Sequence, residues 1–414
     1  MIPRQVPPVY SPVSARSILG ALPALFAGAR EARREVESAL ARTYGARRVL
    51  LTGSGTAALV LALRTLAPRE GLVALPGYGC IDLVAAAIRA GVRVRLYDVH
   101  PETLSPDLDS VRSVLRQGVD AVVVAHYYGY AADVTGVAAL AAEFGVQLIE
   151  DAAQAAGGLL DGRPLGGFGP LTVLSFGRGK GTTGGGGGAL LATTEQAAEQ
   201  LDEVADSLAA PAPGTRAIAG LAAQLVLGAP ALYAIPASIP ALRLGEMVYR
   251  EAGVPDGMPA PVISMLRHAI RAAPRDVERR RRHAARLREE ARRCGVRPIR
   301  PIAGSIPGYL RLPVLGGPQH APAPGLGVMR GYPLTLADMG ELQPLLASGQ
   351  HPTPGAAELR DRLITLPTHS RVSAGDLDRI CRWMHACNSG PVGTLHPSSR
   401  GADVRQASLS DTHA

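Results

Sequence analysis

Residues 121–151 read AVVVAHYYGYAADVTGVAALAAEFGVQLIED, and this stretch indicates the fold class. Ala121–Ala125 is an apolar run rich in valine, which predicts a buried strand. Val134–Phe144 has the pattern of a helix, and residues 147–149 begin a second short apolar run. A strand, a helix and a strand in succession predict two parallel strands connected by a helix.

The same alternation continues towards the N-terminus. The pattern predicts helices at 31–44, 56–66 and 81–90 and strands at 48–51, 72–75 and 93–97. Such alternation predicts an α/β fold, a mostly parallel sheet flanked by helices on both faces. Ligands of these sheets bind beyond the carboxyl ends of the strands, so site residues are expected directly after predicted strands.

The length of the chain indicates more than one structural unit. The composition, 47% hydrophobic and 19% charged, is typical of a globular protein. A chain of 414 residues is too long for a single simple hydrophobic core. We predict a large domain over residues 1–210 and a smaller C-terminal domain over residues 262–387. Residues 211–261 are predicted to form an apolar, proline-containing insertion, and residues 388–414, without apolar periodicity, a disordered tail.

Charge and cysteine content argue against two classes of function. Much of the net charge of +8 comes from the basic residues at 279–293, whose spacing predicts a solvated helix face. No aromatic residue interleaves with them, so a nucleic-acid partner is not expected. The four cysteines show no metal-ligand spacing, so we expect no metal site and reduced thiols in a cytoplasmic protein.

Residues 217–242 contain no charged side chain. The segment is long enough to span a membrane, but Pro230, Pro236 and Pro240 argue against one continuous helix. Two interpretations stay open from the sequence: a helical hairpin buried in the protein or in a dimer interface, and a peripheral contact with a membrane surface.

Two segments after predicted strands have the composition of a binding site. The first, GSGTAAL at 53–59, starts a helix with Gly55, Thr56 and Ala57, where free N–H groups and the helix dipole attract anions. The second, EDAAQ at 150–154, places Asp151 and Gln154 after a buried strand. A carboxylate there can meet a buried cationic group, although it can equally cap a helix.

A third segment, SFGRGKGTT at 175–183, precedes five consecutive glycines at 184–188. Lysine is the side chain that forms Schiff bases, because its amine becomes nucleophilic when the surroundings lower its pKa. Glycines let the backbone approach a flat ring closely. Lys180 is therefore the candidate catalytic residue, and Ser175 can reach the same anion as Thr56.

Together these segments resemble the DegT/DnrJ/EryC1/StrS family of sugar aminotransferases. The resemblance is carried by GTAAL at 55–59, HYYG at 126–129, EDAAQAAG at 150–157 and SFGRGK at 175–180. LPTH at 366–369 and DLDRI at 376–380 are similar to the C-terminal signature of the family. The likeness covers about residues 30–195 well and residues 262–387 more loosely.

The resemblance implies the aspartate-aminotransferase fold, fold type I of the enzymes that use pyridoxal 5'-phosphate, with a seven-stranded type of sheet, a smaller α+β domain and a homodimer. Lys180 would carry the cofactor and move protons, Asp151 would pair with the ring nitrogen, and Gln154 would contact the ring. The residues implied to hold the phosphate are Gly55, Thr56, Ala57 and Ser175.

The chain departs from the family pattern at three places. Cys80 stands where the family has a ring-stacking aromatic residue, so either Tyr78 replaces that residue or apolar contacts hold the ring. The Asn that a partner subunit often contributes is absent, because Asn388 is the only Asn of the chain. The usual Glu after the lysine is absent too, since residues 184–188 are all Gly.

The resemblance implies transfer of an amino group from a donor, usually glutamate, to a nucleotide-linked keto sugar, for polysaccharide or secondary-metabolite biosynthesis. Because the family's dehydratases replace the lysine with His, Lys180 argues against dehydration. Two alternatives remain open: a non-sugar acceptor, and a catalytically silent regulatory or membrane-associated protein that keeps the fold.

Overall fold

A computed structural model of the chain describes residues 4–244, 247–317 and 319–389. Within this part of the chain, strands form one large sheet and two small ones. The strands, in chain order, are β1 Arg48–Thr52, β2 Leu72–Pro76, β3 Arg93–Tyr97, β4 Ala121–Ala125, β5 Gln147–Asp151, β6 Leu159–Leu160, β7 Arg163–Pro164, β8 Leu171–Ser175, β9 Gly188–Ala192, β10 Arg297–Pro298, β11 Ser305–Ile306, β12 Arg311–Leu315, β13 Met329–Arg330 and β14 Leu363–Pro367.

Helices connect these strands and cover both faces of the large sheet. They are α1 Ala15–Ala21, α2 Ala24–Ala27, α3 Arg30–Tyr44, α4 Gly55–Leu66, α5 Ile81–Ala90, α6 Leu108–Leu115, α7 Val134–Phe144, α8 Glu195–Ala205, α9 Thr215–Leu227, α10 Ala234–Ala237, α11 Ala260–Arg293, α12 Pro354–Arg362 and α13 Ala374–Ser389. The helices predicted from the sequence are present, with bounds that agree within one or two residues.

The large sheet has seven strands in the order β1-β9-β8-β5-β4-β2-β3. β9 alone runs antiparallel to its neighbours; the other pairings are parallel. β4 is buried at all five positions, as a strand covered by helices on both faces requires. The predicted α/β class and the mostly parallel sheet are therefore confirmed.

The parallel order brings the ends of β4, β5 and β8 to one edge of the sheet. Ala125 pairs with Asp151 across β4 and β5, and Asp151 pairs with Val173 across β5 and β8. β1 and β9 bring the start of α4 beside the end of β8, since Thr52 pairs with Gly188 and Gly188 with Ser175. Segments far apart in the sequence thus meet at this edge.

The C-terminal part of the chain forms an antiparallel sheet in the order β10-β12-β14-β13. The long helix α11 packs against β12 of this sheet and against α13. The predicted domain boundaries at residues 210 and 261 stay predictions. The predicted disordered tail lies outside the described residues from residue 390 onwards.

The uncharged segment 217–242 is not one continuous helix. It contains most of α9, the short helix α10 and a 3-10 turn at Pro240–Leu242. Among the described helices, none has the length and apolar character needed to cross a membrane. Several apolar side chains of the segment 217–242 face solvent, including Val226 (55% exposed) and Leu242 (49% exposed).

The prediction of a solvated basic face on α11 is wrong for Arg280, which is 2% exposed. Its Nε lies 3.2 Å from a carboxylate oxygen of Asp276, one helical turn earlier. Its Nη2 donates to the Ala156 carbonyl (3.1 Å), and Arg281 Nη2 donates to the Gly157 carbonyl (2.8 Å). These arginines hold the loop that follows β5, so part of the positive charge is structural.

Candidate active site

A cavity lies beyond the carboxyl ends of β4, β5 and β8, next to the start of α4. Every predicted site residue except Ala57 and Tyr78 lines it. The lining consists of Gly55, Thr56, Leu59, Cys80, Asp82, Leu83, Ala125, His126, Tyr127, Asp151, Ala153, Gln154, Val173, Ser175 and Lys180.

One wall of the cavity is the N-terminal turn of α4. Ser54 caps this helix, and its Oγ accepts a hydrogen bond from the Ala57 N–H (3.0 Å). The Ala57 N–H is already paired in this way, and the predicted contribution of Ala57 to phosphate binding stays a prediction. The turn at Gly55 and Thr56 remains as the place where the helix dipole favours an anion.

Gly55 lets this turn and the end of β8 approach each other. A Cβ atom added at Gly55 would lie 2.7 Å from Ser175 Cβ, which is too close for any other residue. The small side chain of Ser175 consequently stands beside the first turn of α4, and both line the cavity. A hydroxyl group next to a helix N-terminus is the donor set that a phosphate group requires.

We expect Ser175→Ala to weaken the binding of pyridoxal phosphate by about 10- to 100-fold. A hydrogen bond to a charged group contributes roughly 1.5–3 kcal/mol, which corresponds to about that change in Kd. Titration of the cofactor-free protein, followed by fluorescence, measures it. Ser207→Ala is the matched control, because the exposed Ser207 hydroxyl donates to the Val204 carbonyl far from the cavity. Equal Kd values for both variants would contradict the assignment.

Asp151, the last residue of β5, contributes a carboxylate to the lining of the cavity. Its Oδ1 accepts a hydrogen bond from the Ala153 N–H (2.9 Å), which fixes the orientation of the group. Burial raises the pKa of Asp151, although this hydrogen bond and the charges of Lys180 and His126 act in the opposite direction. The ionised carboxylate is therefore best stabilised when a cationic group enters the cavity.

Asp151 is held in place by the buried neighbours that precede it. Glu150 and His126 have no exposed side-chain surface, and His126 Nε2 lies 2.9 Å from Glu150 Oε1. Glu150 also accepts hydrogen bonds from the backbone N–H groups of Gly166, Phe168 and Gly169. Burial alone would raise the pKa of Glu150, but the hydrogen bonds outweigh burial and lower it.

We expect Glu150→Gln to reduce the free energy of unfolding by about 3 kcal/mol or more at neutral pH. The change removes at least two hydrogen bonds to a charged acceptor, each worth roughly 1.5–3 kcal/mol. Because the pKa of Glu150 is lower in the folded state, its stabilisation is present above the ordinary value of 4.5 and is lost as the pH falls through the lower folded value.

Urea unfolding at several pH values measures this effect, and the difference between variant and wild type should shrink below pH 4.5. Glu143→Gln is the control. Its carboxylate forms an exposed ion pair with Arg112 (2.6 Å), whose contribution is expected to be about 1 kcal/mol or less. A similar loss in both variants would show that the buried network is not the cause.

Lys180 lies in the loop between β8 and β9 and lines the cavity. The loop is fixed by backbone hydrogen bonds, among them Phe176 N–H to the Gly187 carbonyl (2.9 Å) and Lys180 N–H to the Gly177 carbonyl (3.2 Å). Lys180 is also the only lysine in the whole sequence; the other basic residues, apart from histidine, are arginines. A side-chain primary amine therefore occurs once in the chain, at the cavity.

The structure does not bring Tyr78 to the cavity. Tyr78 is fully buried, and its hydroxyl accepts a hydrogen bond from the Tyr332 N–H (2.8 Å). The aromatic residue that lines the cavity is Tyr127, whose hydroxyl donates to the Tyr78 carbonyl. The expected replacement of the family's stacking residue by Tyr78 is thus not supported. Cys80 does line the cavity, and burial raises the pKa of its thiol to about 12, which keeps it protonated.

Gln154 connects the cavity to the C-terminal part of the chain. Its side-chain amide donates to the hydroxyl of Tyr332, which follows β13 and packs on the ring of Tyr128. Tyr127 and Tyr332 were missed by the sequence analysis as site residues. HYYG at 126–129 was already a signal for Tyr127, because it directly follows β4; nothing local points to Tyr332.

The residues of the cavity fit pyridoxal phosphate. The turn at Gly55 and Thr56 with Ser175 offers donors to a phosphate, Asp151 offers a carboxylate to a protonated ring nitrogen, and Lys180 offers the amine. The raised pKa of Asp151 supports the fit, since a cationic ring nitrogen beside it would favour the ionised form. An amine, a carboxylate and phosphate donors are the groups that a site for this cofactor requires.

The model of the DegT/DnrJ/EryC1/StrS aminotransferase family matches residues 26–209 of the chain. The resemblance seen in the sequence is confirmed there. A dTDP-4-dehydro-2,3,6-trideoxy-D-glucose 4-aminotransferase of Saccharopolyspora spinosa is 33% identical over 176 residues, which are 41% of this chain and 46% of that protein. An L-glutamine:2-deoxy-scyllo-inosose aminotransferase of Streptoalloteichus tenebrarius is 32% identical over 195 residues, 46% of each protein.

The matched segment thus spans less than half the length of these relatives. The similarity in structure extends further along the chain. The crystal structure of the aminotransferase TlmJ from Streptoalloteichus hindustanus matches 92% of this chain and 98% of its own, with a TM-score of 0.72 and 24% identity. This likeness confirms the predicted fold across both the large sheet and the C-terminal part.

Proposed function

We propose that this protein is a pyridoxal-phosphate-dependent aminotransferase that moves an amino group from an amino donor, glutamate, to a nucleotide-linked keto sugar. The observation that carries the proposal is the convergence of Lys180, Asp151, Ser175 and the first turn of α4 on one cavity. No single one of these residues would be specific for pyridoxal phosphate. Together they offer an amine, a carboxylate for the cationic ring nitrogen and donors for the phosphate, which are the groups that this cofactor requires.

Each of these residues has a distinct task. Pyridoxal phosphate supplies, when bound, an electron sink and a carrier for the amino group. The Lys180 amine would carry a proton between the substrate carbon and the cofactor, Asp151 would keep the ring nitrogen protonated, and Ser175 would hold the phosphate. His126, locked by Glu150, presents a fixed ring at the cavity wall.

The resemblance to the family of sugar aminotransferases supports a nucleotide-linked keto sugar as the acceptor. Single relatives support an acceptor less directly. The relative from S. spinosa is named for a dTDP-linked keto sugar, which supports a nucleotide sugar as the acceptor. The relative from S. tenebrarius is named for 2-deoxy-scyllo-inosose, which supports a non-sugar acceptor as the second candidate. Either acceptor is consistent with a role in polysaccharide or secondary-metabolite biosynthesis.

The experiment has two stages. First, the absorbance spectrum of the holoenzyme is recorded before and after addition of glutamate or glutamine. Loss of the band of bound cofactor establishes the donor step. Second, the amino-loaded enzyme is offered dTDP-, UDP- and GDP-linked keto sugars and 2-deoxy-scyllo-inosose, and recovery of the band identifies the acceptor. If no donor alters the absorbance band of the bound cofactor, the aminotransferase proposal is contradicted, and a catalytically silent regulatory protein is favoured.

We propose that the chain forms a homodimer in the cytoplasm. Exposed apolar side chains on two elements support a covering partner: Phe26 (93% exposed) on α2, and Val226 and Leu242 in the uncharged segment. Light scattering should give twice the chain mass for the wild type and less for Phe26→Asp combined with Val226→Asp. A monomeric wild type that pellets with anionic phospholipid vesicles would instead favour the membrane contact through residues 217–242.

A further inference from the structure

A second cavity lies where the end of α11 and strand β10 meet the loop between β3 and α6. Its volume is about 460 Å³, within the range of roughly 300–1,000 Å³ that is typical of small-molecule sites. It shares no lining residue with the cofactor cavity. Apolar side chains such as Val296 and Ile299 form part of its lining, together with one glutamate and four arginines: Glu102, Arg288, Arg292, Arg297 and Arg300. We refer to this cavity as the arginine pocket.

Two of the arginines carry charges that no carboxylate balances. Arg288 and Arg292 are four residues apart on α11, so their side chains are neighbours on one face of the helix. Arg292 is exposed, and its side chain has no hydrogen bond or ion pair within the described residues. Arg288 Nη1 donates to the hydroxyl of Tyr309 (2.8 Å), whereas the buried Arg288 Nε has no partner in the described part of the chain. Because like charges at this spacing repel each other, an anion between the two would stabilise this end of α11.

The other two arginines share a single carboxylate. Arg297 Nη1 lies 3.6 Å from Glu102 Oε1, and the guanidinium of Arg300 contacts Glu102 Oε2. The Arg300 N–H also donates to the Glu102 carbonyl (2.8 Å), so the backbone holds these two segments side by side. The Glu102 side chain is 49% exposed, and exposed ion pairs contribute little to stability. An anion with more charge than one carboxylate can therefore replace Glu102 on both arginines.

The charge of the arginine pocket selects for an anion. Four guanidinium groups and one carboxylate leave the lining with a net charge of +3. The C-terminal end of α11 adds a partial negative charge of about half a unit, which is too small to balance it. A guanidinium group matches the oxygen atoms of a phosphate, because it donates two parallel hydrogen bonds to them.

We propose that the arginine pocket binds a small molecule through a diphosphate group. Arg288 and Arg292 on α11 hold one phosphate, and Arg297 and Arg300 on the segment of β10 hold the other. The ligand would connect the C-terminal part of the chain to the loop after β3, which carries Glu102. The proposal is independent of amino transfer at the cofactor cavity, since the two cavities have no residue in common. Inorganic diphosphate and a nucleoside diphosphate both carry the required group.

Calorimetric titration of the full-length holoenzyme with ADP, and separately with inorganic diphosphate, tests the proposal. We expect Arg292→Ala to weaken binding by about 10- to 100-fold, the factor that corresponds to one hydrogen bond to a charged group. Arg293→Ala is the matched control, because it removes the same charge one residue further along α11. The Arg293 side chain pairs with Glu289 (3.1 Å) and does not line the pocket, so this variant should bind like the wild type. The absorbance band of the bound cofactor should not change during the titration.

A second variant should change the affinity in the opposite direction. Glu102→Gln removes the carboxylate that competes for Arg297 and Arg300, so it should tighten binding, which a variant with a merely loosened fold would not do. Tighter binding of ADP than of inorganic diphosphate would support a nucleotide as the source of the group, and equal affinity would support inorganic diphosphate. The proposal is overturned if neither probe binds, if Arg292→Ala binds as tightly as the wild type, if Arg293→Ala is weakened as much as Arg292→Ala, or if Glu102→Gln binds more weakly.

Discussion

The Lys180→Ala variant is expected to bind pyridoxal phosphate without the absorbance band of the wild type and to lose amino transfer by more than about 10⁴-fold. That factor is the upper end of what one positioned proton-transfer group contributes, and Lys180 also supplies the only side-chain amine of the cavity. Spectra of the reconstituted protein and product formation under saturating donor measure the two effects.

Two companion variants separate chemistry from charge and from loop structure. Lys180→Arg keeps a positive charge but lacks a nucleophilic amine, so it should be as inactive as Lys180→Ala. Arg178→Ala removes an exposed side chain from the same loop and should retain most of the activity. An unaltered absorbance band in Lys180→Ala would mean that the cofactor is bound in another way and that the central assignment is wrong.

The second large effect is expected from Asp151→Asn, which should lower activity by roughly 10²- to 10³-fold, the cost of removing one positioned electrostatic partner. The same change should stabilise the cofactor-free protein at neutral pH. The pKa of Asp151 is raised in the folded state, so the ionised form opposes folding. Stability therefore falls as the pH rises from the ordinary value of 3.8 through the folded value, and the Asn variant escapes this loss.

Thermal unfolding of the cofactor-free proteins and steady-state activity of the holoenzymes measure the two opposite changes. Asp206→Asn, an exposed position at the end of α8, should change neither. Asp151→Asn that loses stability as well as activity would indicate a structural role for the carboxylate instead of pairing with a cationic ring nitrogen.

The sequence predicted those site residues whose position depends only on the short segment in which each of them lies. Asp151 and Lys180 each follow a run of apolar residues that forms a strand, and a strand end in a parallel sheet faces the ligand edge. Their approach to each other then follows from the strand order. The α/β class was predictable for the same reason, because periodicity is a local property of the chain.

The features that the sequence did not predict depend on contacts between distant segments. Tyr78 and Tyr127 both follow strands, and only the packing of Tyr332 decides that Tyr78 is buried behind the cavity. The solvated face predicted for α11 is wrong at Arg280, because that side chain donates to the carbonyl group of Ala156, 124 residues away.

The presence of a single lysine has a chemical consequence for the surface of this protein. Pyridoxal aldehydes condense with any accessible side-chain primary amine, and ordinary proteins carry many. Here the basic surface is built from guanidinium groups, which do not form Schiff bases under such conditions. Lys180 is therefore the one side chain with which free aldehyde can form a Schiff base. An amine-specific reagent can accordingly count cofactor occupancy directly, with the α-amino terminus as the only other reactive amine.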